Sequence, residues 1–420
     1  MSTLAQQRSG ARPDVRAPDP FRWAGRAATA LALAGLAAAC GPADRSAPGP
    51  SGALYALNAL DGTLTPLDAE RLAPAGPPIP VGDAPAQVAL GPGGSVLVLA
   101  FSRNRPGGLT QVAAARAGGR ARPVPLAAPL YQAALAAAGG RYAVVAHHLP
   151  ERLPPAHPPP GTEAGRCRLT LLDLTTGEVR TRPACAPGEQ VVGLAYEPGP
   201  GSAGSVAYLG IWDAHGPPEA HEPDRPRGAP GPAQAGAAAP RGLRDRVVAV
   251  DARSGRVLAA RALASPPEHL QYVPRPGGAG AGGPEGRLYV LEGAPGPESD
   301  YSAAGRWRLL GLNPVTLDTE QEAYLSVQIR ALTVAPDGLT AYALAAGGKD
   351  VLRVDLASGA SGRLGALPGA TSGGLAVTAR HLLAPNPQGR EVWALDRRDG
   401  RLAAPIPVGR RPVAVVAPRP

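Results

Sequence analysis

Several patterns that identify common catalytic and nucleic-acid-binding proteins are missing from this chain of 420 residues. The sequence has no C-x-x-C-H haem-attachment motif, no H-E-x-x-H zinc motif, no Walker loop and no G-x-S-x-G nucleophile elbow. Aromatic residues make up only 4% of it, and Lys349 is its single lysine, so nearly all of its 42 basic residues are arginines. Nucleic-acid-binding proteins concentrate basic residues on one face beside stacking aromatics. Because the charges here are scattered, we expect no nucleic-acid partner.

Long helical patterns are also scarce. Beyond residue 39, no stretch combines the length of a long amphipathic helix with its 3.6-residue periodicity. The chain instead alternates short apolar runs with turns, which its 55 glycines and 51 prolines favour. Its hydrophobic content of 44% is too high for general disorder. These runs therefore predict an all-β protein with a large core.

The first 39 residues have the composition of a targeting segment. Arginines precede an apolar run over 27–39, which is too short to span a bilayer comfortably but suits a signal peptide. The stretch from Leu36 to Cys40, with three alanines between them, resembles the processing box of bacterial lipoproteins. That resemblance implies a signal peptide over 1–39, a lipid on Cys40 that anchors the chain to a membrane, and a flexible tether over 40–52. The protein would then be extracytoplasmic, on the periplasmic or cell-surface side of the envelope; an uncleaved anchor helix and an ordinary secretory signal are the alternatives.

The other two cysteines, Cys167 and Cys185, flank a predicted hairpin that turns near residues 175–178. A hairpin brings its two ends side by side, so an oxidising compartment would favour a disulfide between them. We therefore predict a Cys167–Cys185 bond between neighbouring strands. Two free thiols, or a catalytic cysteine, are the alternatives.

One sequence pattern, an apolar strand followed by a tight turn, occurs seven times. Its copies end at Asp68, Arg116, Asp173, Asp251, Asn313, Asp355 and Asp396. The last three copies are spaced by 42 and 41 residues, and a second phrase supplies further strands between them. Repeats of this length with four strands each are typical of a β-propeller. We predict seven four-stranded blades over residues 53–420.

The two ends of the repeat region are complementary. The first blade begins near Leu54 with what would be its second strand, and no innermost strand precedes it. Residues 412–418 read P-V-A-V-V-A-P, which is an innermost strand without a blade of its own. Pairing the two would close the ring and remove exposed sheet edges. We therefore predict that a C-terminal strand joins the N-terminal blade.

The repeats also resemble those of a known family. The Y-V-T-N-type (YVTN-repeat) bacterial propellers contain the phrases V-x-V-I-D-x-x-T-G, I-P-V-G, P-x-x-V-A-x-S-P-D-G and L-Y-V. Similar phrases stand in this chain at residues 247–255, 79–82, 406–409, 331–338 and 288–290. The resemblance covers residues 52–420 and implies a seven-bladed propeller related in fold to the lactonase-like proteins. It says little about chemistry, since propellers host unrelated functions.

The aspartates that end the repeated strands precede turns whose backbone amides can donate to a carboxylate. We therefore assign Asp173, Asp251, Asp355 and Asp396 a structural role. We predict no catalytic residue in the chain.

One face of the predicted ring, here called the top face, carries the loops between the second and third strands of each blade and between successive blades. Long insertions near 150–166 and 214–244 fall on it, and their Pro/Gly/Ala-rich composition predicts disorder. The candidate ligand or metal site on this face contains His147, His148, Asp213, His215 and His269. Histidine nitrogens and carboxylate oxygens suit zinc or a similar ion. The alternative, which we adopt, is that these are loop residues of different blades and that the protein has no cofactor.

Three classes of function fit these features. The first is a monomeric, lipid-anchored binding scaffold without catalytic activity, whose partner is an envelope protein or glycan. The second is a lactonase-like hydrolase with its site at the mouth of the central channel. The third is an accessory or metal-carrying subunit of an envelope redox enzyme. The first is favoured because no catalytic constellation recurs at matched positions of the blades.

Overall fold

The computed structural model describes residues 53–90, 95–102, 105–112, 121–124, 132–135, 142–148, 167–174, 176–185, 189–197, 205–213, 245–275, 286–293, 307–371 and 374–417. Every regular element in these ranges is a β-strand. None of these residues belongs to a helix long and apolar enough to cross a membrane.

The strands form seven antiparallel sheets arranged as the blades of a seven-bladed propeller. Each blade runs from an innermost strand A through B and C to an outermost strand D. Blade 1 contains β29 (Pro412–Val416), β1 (Ala53–Asn58), β2 (Thr63–Asp68) and, as its D strand, the short β3 (Ala73–Pro74) and β4 (Ile79–Pro80). Blade 2 contains β5 (Pro85–Leu90), β6 (Val96–Ser102), β7 (Arg105–Val112) and β8 (Ala121–Val124). Blade 3 contains β9 (Gln132–Leu135), β10 (Tyr142–His148), β11 (Cys167–Asp173) and β12 (Val179–Pro183).

The remaining four blades follow the same order. Blade 4 contains β13 (Glu189–Glu197), β14 (Val206–Asp213), β15 (Arg246–Asp251) and β16 (Val257–Ala262). Blade 5 contains β17 (Pro267–Pro274), β18 (Gly286–Glu292), β19 (Trp307–Leu312) and β20 (Thr319–Leu325). Blade 6 contains β21 (Ile329–Val334), β22 (Thr340–Ala345), β23 (Asp350–Asp355) and β24 (Ser361–Ala366). Blade 7 contains β25 (Ala376–Val377), β26 (His381–Asn386), β27 (Glu391–Asp396) and β28 (Ile406–Pro407).

The predicted ring closure is confirmed. The C-terminal strand β29 pairs antiparallel with β1, with Tyr55 opposite Val416 and Leu57 opposite Ala414. Beyond the strands, the Ala59 amide donates to the Arg411 carbonyl at 3.0 Å. The first blade is therefore built from both ends of the described chain, and no sheet edge is left open at this junction.

The core consists of one buried apolar cluster between each pair of neighbouring blades. Side chains alternate between the two faces of a strand, so each blade contributes to the clusters on both of its sides. Between blades 4 and 5, Leu270 packs directly on the backbones of Gly193 and Gly210. A Cβ atom at those positions would lie 2.6 and 2.7 Å from the Leu270 Cδ1 atom. The missing side chains are what allow these blades to approach each other.

Tyrosine hydroxyl groups link the blades on the bottom face, opposite the top face. Tyr208 in blade 4 donates to the Pro314 carbonyl of blade 5 at 3.1 Å, and Tyr289 in blade 5 donates to the Gly338 carbonyl of blade 6 at 3.0 Å. The Tyr342 hydroxyl of blade 6 accepts from Arg397 of blade 7 at 3.0 Å. Each ring buries its apolar body between two blades while its hydroxyl satisfies a polar group of the next one.

The structural role of the strand-ending aspartates is confirmed. The Asp355 Oδ1 atom accepts from the amides of Ala357 and Ser358 at 3.0 and 2.8 Å. The Ser358 amide is the main reason that the pKa of the Asp355 carboxyl lies below its usual value. The same acceptor role recurs at Asp173, Asp251 and Asp396, and Asn313 plays it in blade 5.

In blade 2 the predicted end of the third strand, Arg116, lies outside the described residues. The described part of β7 ends at Val112, which lies opposite Val96 at the start of β6. In blade 1 the corresponding pair is Asp68 and Ala53.

Candidate functional site

The top face is asymmetric because its B–C connections differ greatly in length. In blades 1, 6 and 7 they are four-residue turns, at 59–62, 346–349 and 387–390. In blades 3 to 5 the chain leaves strand B at His148, Asp213 and Glu292, and strand C begins only at Cys167, Arg246 and Trp307. Three consecutive blades therefore carry long insertions on one face. The predicted disorder of the insertions near 150–166 and 214–244 concerns residues outside the described ones.

A buried ion pair lies at the top of blade 4. The Arg246 Nη2 atom lies 2.6 Å from the Glu189 Oε1 atom, and only 5% and 12% of the two side chains is exposed. Glu189 begins β13 and Arg246 begins β15, so the pair spans strand B between them. Each charge compensates the other where little water reaches either of them.

A second network lies at the top of blade 5. The Glu292 carboxylate forms an ion pair with the Arg308 guanidinium. The Arg308 Nη1 atom also lies 3.2 Å from the Glu322 Oε1 atom. The other Glu292 oxygen accepts from the Ala264 amide at 3.2 Å. Glu292 and Arg308 are cross-strand neighbours at the end of β18 and the start of β19, so their contact follows from the strand register.

Carboxylates at the top of blades 7 and 1 are held in the same way. The Glu391 Oε1 atom accepts from the Trp393 indole at 2.9 Å and from the Asn386 amide at 3.1 Å. Asp61 accepts from both the backbone amide and the guanidinium of Arg410. These hydrogen bonds hold the pKa of the Asp61 carboxyl below its usual value, the backbone amide having the larger effect.

The two predicted site histidines with described side chains are buried within different blades. The His147 Nε2 atom lies 2.9 Å from the Thr170 hydroxyl, whose oxygen lies 2.9 Å from the Thr181 hydroxyl of strand D. His269 in strand A of blade 5 is only 3% exposed. Burial lowers its pKa to about 4, with the nearby Gln271 side chain opposing part of the shift. Neither histidine presents its ring to the top-face solvent.

The described structure therefore includes the side chains of only some of the predicted metal-site residues. His148 and Asp213 end strands β10 and β14, but their side chains lie outside the described part of the structure, as does the whole of His215. Among the described residues, no three His, Cys, Asp or Glu side chains form a group that could hold a metal ion. A top-face metal or ligand site built from these five residues stays a prediction.

The predicted disulfide is confirmed. Cys167 and Cys185 are bonded, with their Cα atoms 5.5 Å apart. Cys167 begins β11 and is fully buried, whereas Cys185 follows the end of β12. The bond joins strands C and D of blade 3 beside the point where the first long insertion returns to the blade.

Neither ion pair, Glu189 with Arg246 or Glu292 with Arg308, was predicted from the sequence. A signal for them existed, because each arginine is at the start of a C strand, beside the residues that end B or begin A. The side to which His269 points could not be derived from the sequence. An irregularity in β17 between Pro267 and His269 shifts the register there.

No protein-family model matches the chain, and no curated protein matches it. The resemblance to Y-V-T-N-type repeats therefore stays a prediction at the level of the family. Among solved structures, the fold is similar to that of a provisionally named 6-phosphogluconolactonase from Bacteroides uniformis, with a TM-score of 0.55 and 16% identity over 88% of this chain and 100% of that chain.

Two further solved structures are similar with lower scores. They are apo AztD from Citrobacter koseri (TM-score 0.47, 13% identity, 87% of this chain and 98% of that one) and the dihydro-heme d1 dehydrogenase NirN (TM-score 0.49, 16% identity, 88% and 76%). At such identities a likeness concerns fold and not activity. The described strands, together with the likeness to the Bacteroides uniformis structure, establish that the chain is a seven-bladed β-propeller.

Proposed function

We propose that this protein is a lipid-anchored propeller of the cell envelope that binds a partner through its top face without catalysing a reaction. The supporting observation is the engagement of the top-face carboxylates. Glu189, Glu292 and Asp61 are each held by an arginine, and Glu391 accepts from an indole and an amide.

This arrangement favours binding over hydrolysis for a geometric reason. A general base must lie within hydrogen-bond reach of the proton that it removes from its substrate or from water. Oxygens of these carboxylates already accept hydrogen bonds from arginine, indole or amide groups of the protein itself. Side chains fixed in this way make the strand ends of the top face a rigid base for the loops that leave from them.

The long insertions of blades 3 to 5 provide the proposed contact surface. They leave from neighbouring blades on the same face, and loops on a rigid scaffold are where binding residues usually lie. The four-residue turns of blades 1, 6 and 7 offer few residues for contact on their side of the face. We therefore expect a partner to bind on the side of the insertions.

The experiment for this function compares capture of envelope proteins and glycans by two forms of the lipid-anchored chain. In the test variant, residues 214–244 are replaced by the blade 1 turn Ala59-Leu60-Asp61-Gly62, and in the matched control residues 346–349 of blade 6 receive the same turn. We expect a partner that the native and control proteins capture and the test variant loses. Equal capture by both variants, or turnover of a phosphorylated sugar lactone that Glu292→Gln abolishes, would contradict the proposal.

The anchor has its own test. Cells producing the full chain are labelled with a radioactive fatty acid, and the Cys40→Ser and Cys185→Ser variants are compared. A lipid on Cys40 predicts that the first variant loses the label and the second keeps it. Label retained by Cys40→Ser would show that the lipid, if any, is attached elsewhere.

A further inference from the structure

The chain enters the ring on the bottom face. The first described strand, β1, is strand B of blade 1, and its first residue, Ala53, lies opposite Asp68 at the end of β2. The turn after Asp68 is one of the C–D turns of the bottom face, whereas the other end of β1 leads into the top-face turn at 59–62. The segment that precedes Ala53 therefore joins the ring at its bottom face.

This point of attachment is rigid. Strand β1 pairs with β2 on one side and with β29 on the other. Leu54 and Ala56 are buried between blades 1 and 7, and Tyr55 and Leu57 between blades 1 and 2. Pulling residues out of β1 would expose these apolar side chains to water, which is unfavourable. The strand therefore does not lengthen the segment before it.

The proposed anchor lies close to this point in the chain. Only residues 41–52 separate Cys40 from Ala53. A chain advances at most about 3.5 Å per residue, so these two Cα atoms are no more than about 45 Å apart. Passing the two outer strands of blade 1 takes about 10 Å of this distance, and the height of a six-residue strand takes about 20 Å more. A ring with its top face on the membrane would use most of the available length and would leave little room for the insertions of blades 3 to 5.

The bottom face also carries exposed apolar side chains. Val315, in the C–D turn of blade 5, and Leu339, in the A–B turn of blade 6, are 67% and 62% exposed. They are the two most exposed large apolar side chains in the described part of the chain. The Gly338 carbonyl accepts from Tyr289 of blade 5 at 3.0 Å, so the turn that contains Leu339 lies against the blade that carries Val315.

We propose that the bottom face lies on the membrane that holds the anchor, with Val315 and Leu339 in its headgroup layer. This inference rests on the lipid at Cys40 proposed above. Apolar side chains that leave water for the boundary between headgroups and acyl chains gain hydrophobic free energy, and the short connection keeps this face within reach of the membrane. The top face then points away from the membrane, and its partner binds from the aqueous phase.

The test attaches one fluorophore at a time to three places on blade 6 of the lipid-anchored protein. Ala357→Cys carries it in the bottom-face turn, Gly347→Cys in the top-face turn and Gly362→Cys on the outermost strand. All three positions are exposed, and a Cβ atom at Gly347 or Gly362 meets nothing within 4 Å. The protein is bound to vesicles of phosphatidylethanolamine and phosphatidylglycerol that contain a lipid with a nitroxide on its headgroup. We expect the strongest quenching at position 357, weaker quenching at 362 and the weakest at 347.

The apolar contact is tested in the protein labelled at position 357. Val315→Ser/Leu339→Ser should lose most of the quenching there. Leu60→Ser is the matched control, because it removes a side chain that is 60% exposed on the top face, and it should leave the quenching unchanged. Melting temperatures near that of the native protein would show that these variants are folded.

The outcomes separate the orientation from the anchor. Equal quenching at the three positions, or the strongest quenching at 347 or 362, would overturn the orientation, as would unchanged quenching in Val315→Ser/Leu339→Ser. Flotation with the same vesicles tests the anchor, since the native protein should float and Cys40→Ser should not. A native protein that stays behind would refute the lipid anchor itself, and the orientation with it.

Discussion

His269 is a buried side chain whose protonation should control stability. Burial in blade 5 lowers its pKa to about 4, whereas a histidine in the unfolded chain titrates near the ordinary value of 6.5. Between these values the unfolded chain binds the proton and the folded protein does not. The free energy of unfolding should therefore be unaffected by His269 above about pH 7 and fall by roughly 3 kcal/mol as the pH drops toward 4.

The measurement is denaturant unfolding of the native protein and of His269→Leu across this pH range. Leucine cannot take up a proton, so the variant should lose less stability on acidification than the native protein. If both lost stability in parallel, His269 would not be the buried neutral group described here.

The aspartates that end C strands should tolerate asparagine but not alanine. The Asp251 carboxylate accepts from the Ser254 amide in the turn that follows β15, and Asn313 makes the equivalent bonds to Val315 and Thr316 in blade 5. Asp251→Ala should lower the free energy of unfolding by about 1 kcal/mol through the lost acceptor, and Asp251→Asn by much less. Thermal unfolding of the two variants checks this; equal losses would show that the acceptor is unimportant.

At the scale of single residues, the role of a side chain could be predicted where it depends on residues nearby in the chain. The strand-ending aspartates were assigned correctly because the turn that they stabilise follows directly in the chain. The burial of His269 was not foreseen because it depends on which neighbouring blade the side chain faces. The ion pair of Glu292 and Arg308 is an intermediate case. The two residues are distant in the chain, but the register of β18 and β19 is enough to place them opposite each other.

At the scale of strands, the packing of blade 5 on blade 4 depends on two glycines. Gly193→Ala would place a Cβ atom 2.6 Å from the Leu270 Cδ1 atom, so the Leu270 side chain or one of the two strands would have to shift. We expect a loss of about 1–3 kcal/mol in the free energy of unfolding, typical of overpacking. Gly362→Ala is the matched control, because a Cβ atom there meets nothing within 4 Å.

A second substitution tests the mechanism of that loss. Leu270→Ala removes the clashing methyl group, so it should cost less in the Gly193→Ala background than in the native protein. A double-mutant cycle by chemical denaturation measures this coupling. Additive effects would mean that the two side chains do not meet as described.

The strands themselves were predicted well where alternation and turn residues agreed. The C strands of five blades end at the expected residue, and β19 of blade 5 ends at Leu312, one residue before the expected Asn313. Register irregularities in innermost strands, such as those between Pro267 and His269 and between Ile329 and Ala331, left no sequence signal. They depend on how strand A meets the channel and its neighbours, which is a tertiary constraint.

At the scale of the whole molecule, the closed ring was predictable because a strand was missing at one end of the repeats and left over at the other. Its consequence is that residues distant in the chain share one blade: Tyr55 pairs with Val416, and Arg410 with Asp61. The nature of the ligand was not predictable, because the propeller fold supports unrelated functions and the top-face side chains differ from blade to blade.

The most direct test of this account is the removal of the closing strand. Val415 and Val416 are 5% and 3% exposed, and fully burying each such side chain contributes roughly 1.5–3 kcal/mol. Deleting residues 411–420 removes these contacts and exposes a strand edge on blade 1, whereas deleting 418–420 leaves β29 whole. Melting temperature and oligomeric state should be near native in the short deletion, and the long deletion should melt far lower or aggregate. A monomeric long deletion with the native melting temperature would contradict the closed seven-bladed ring.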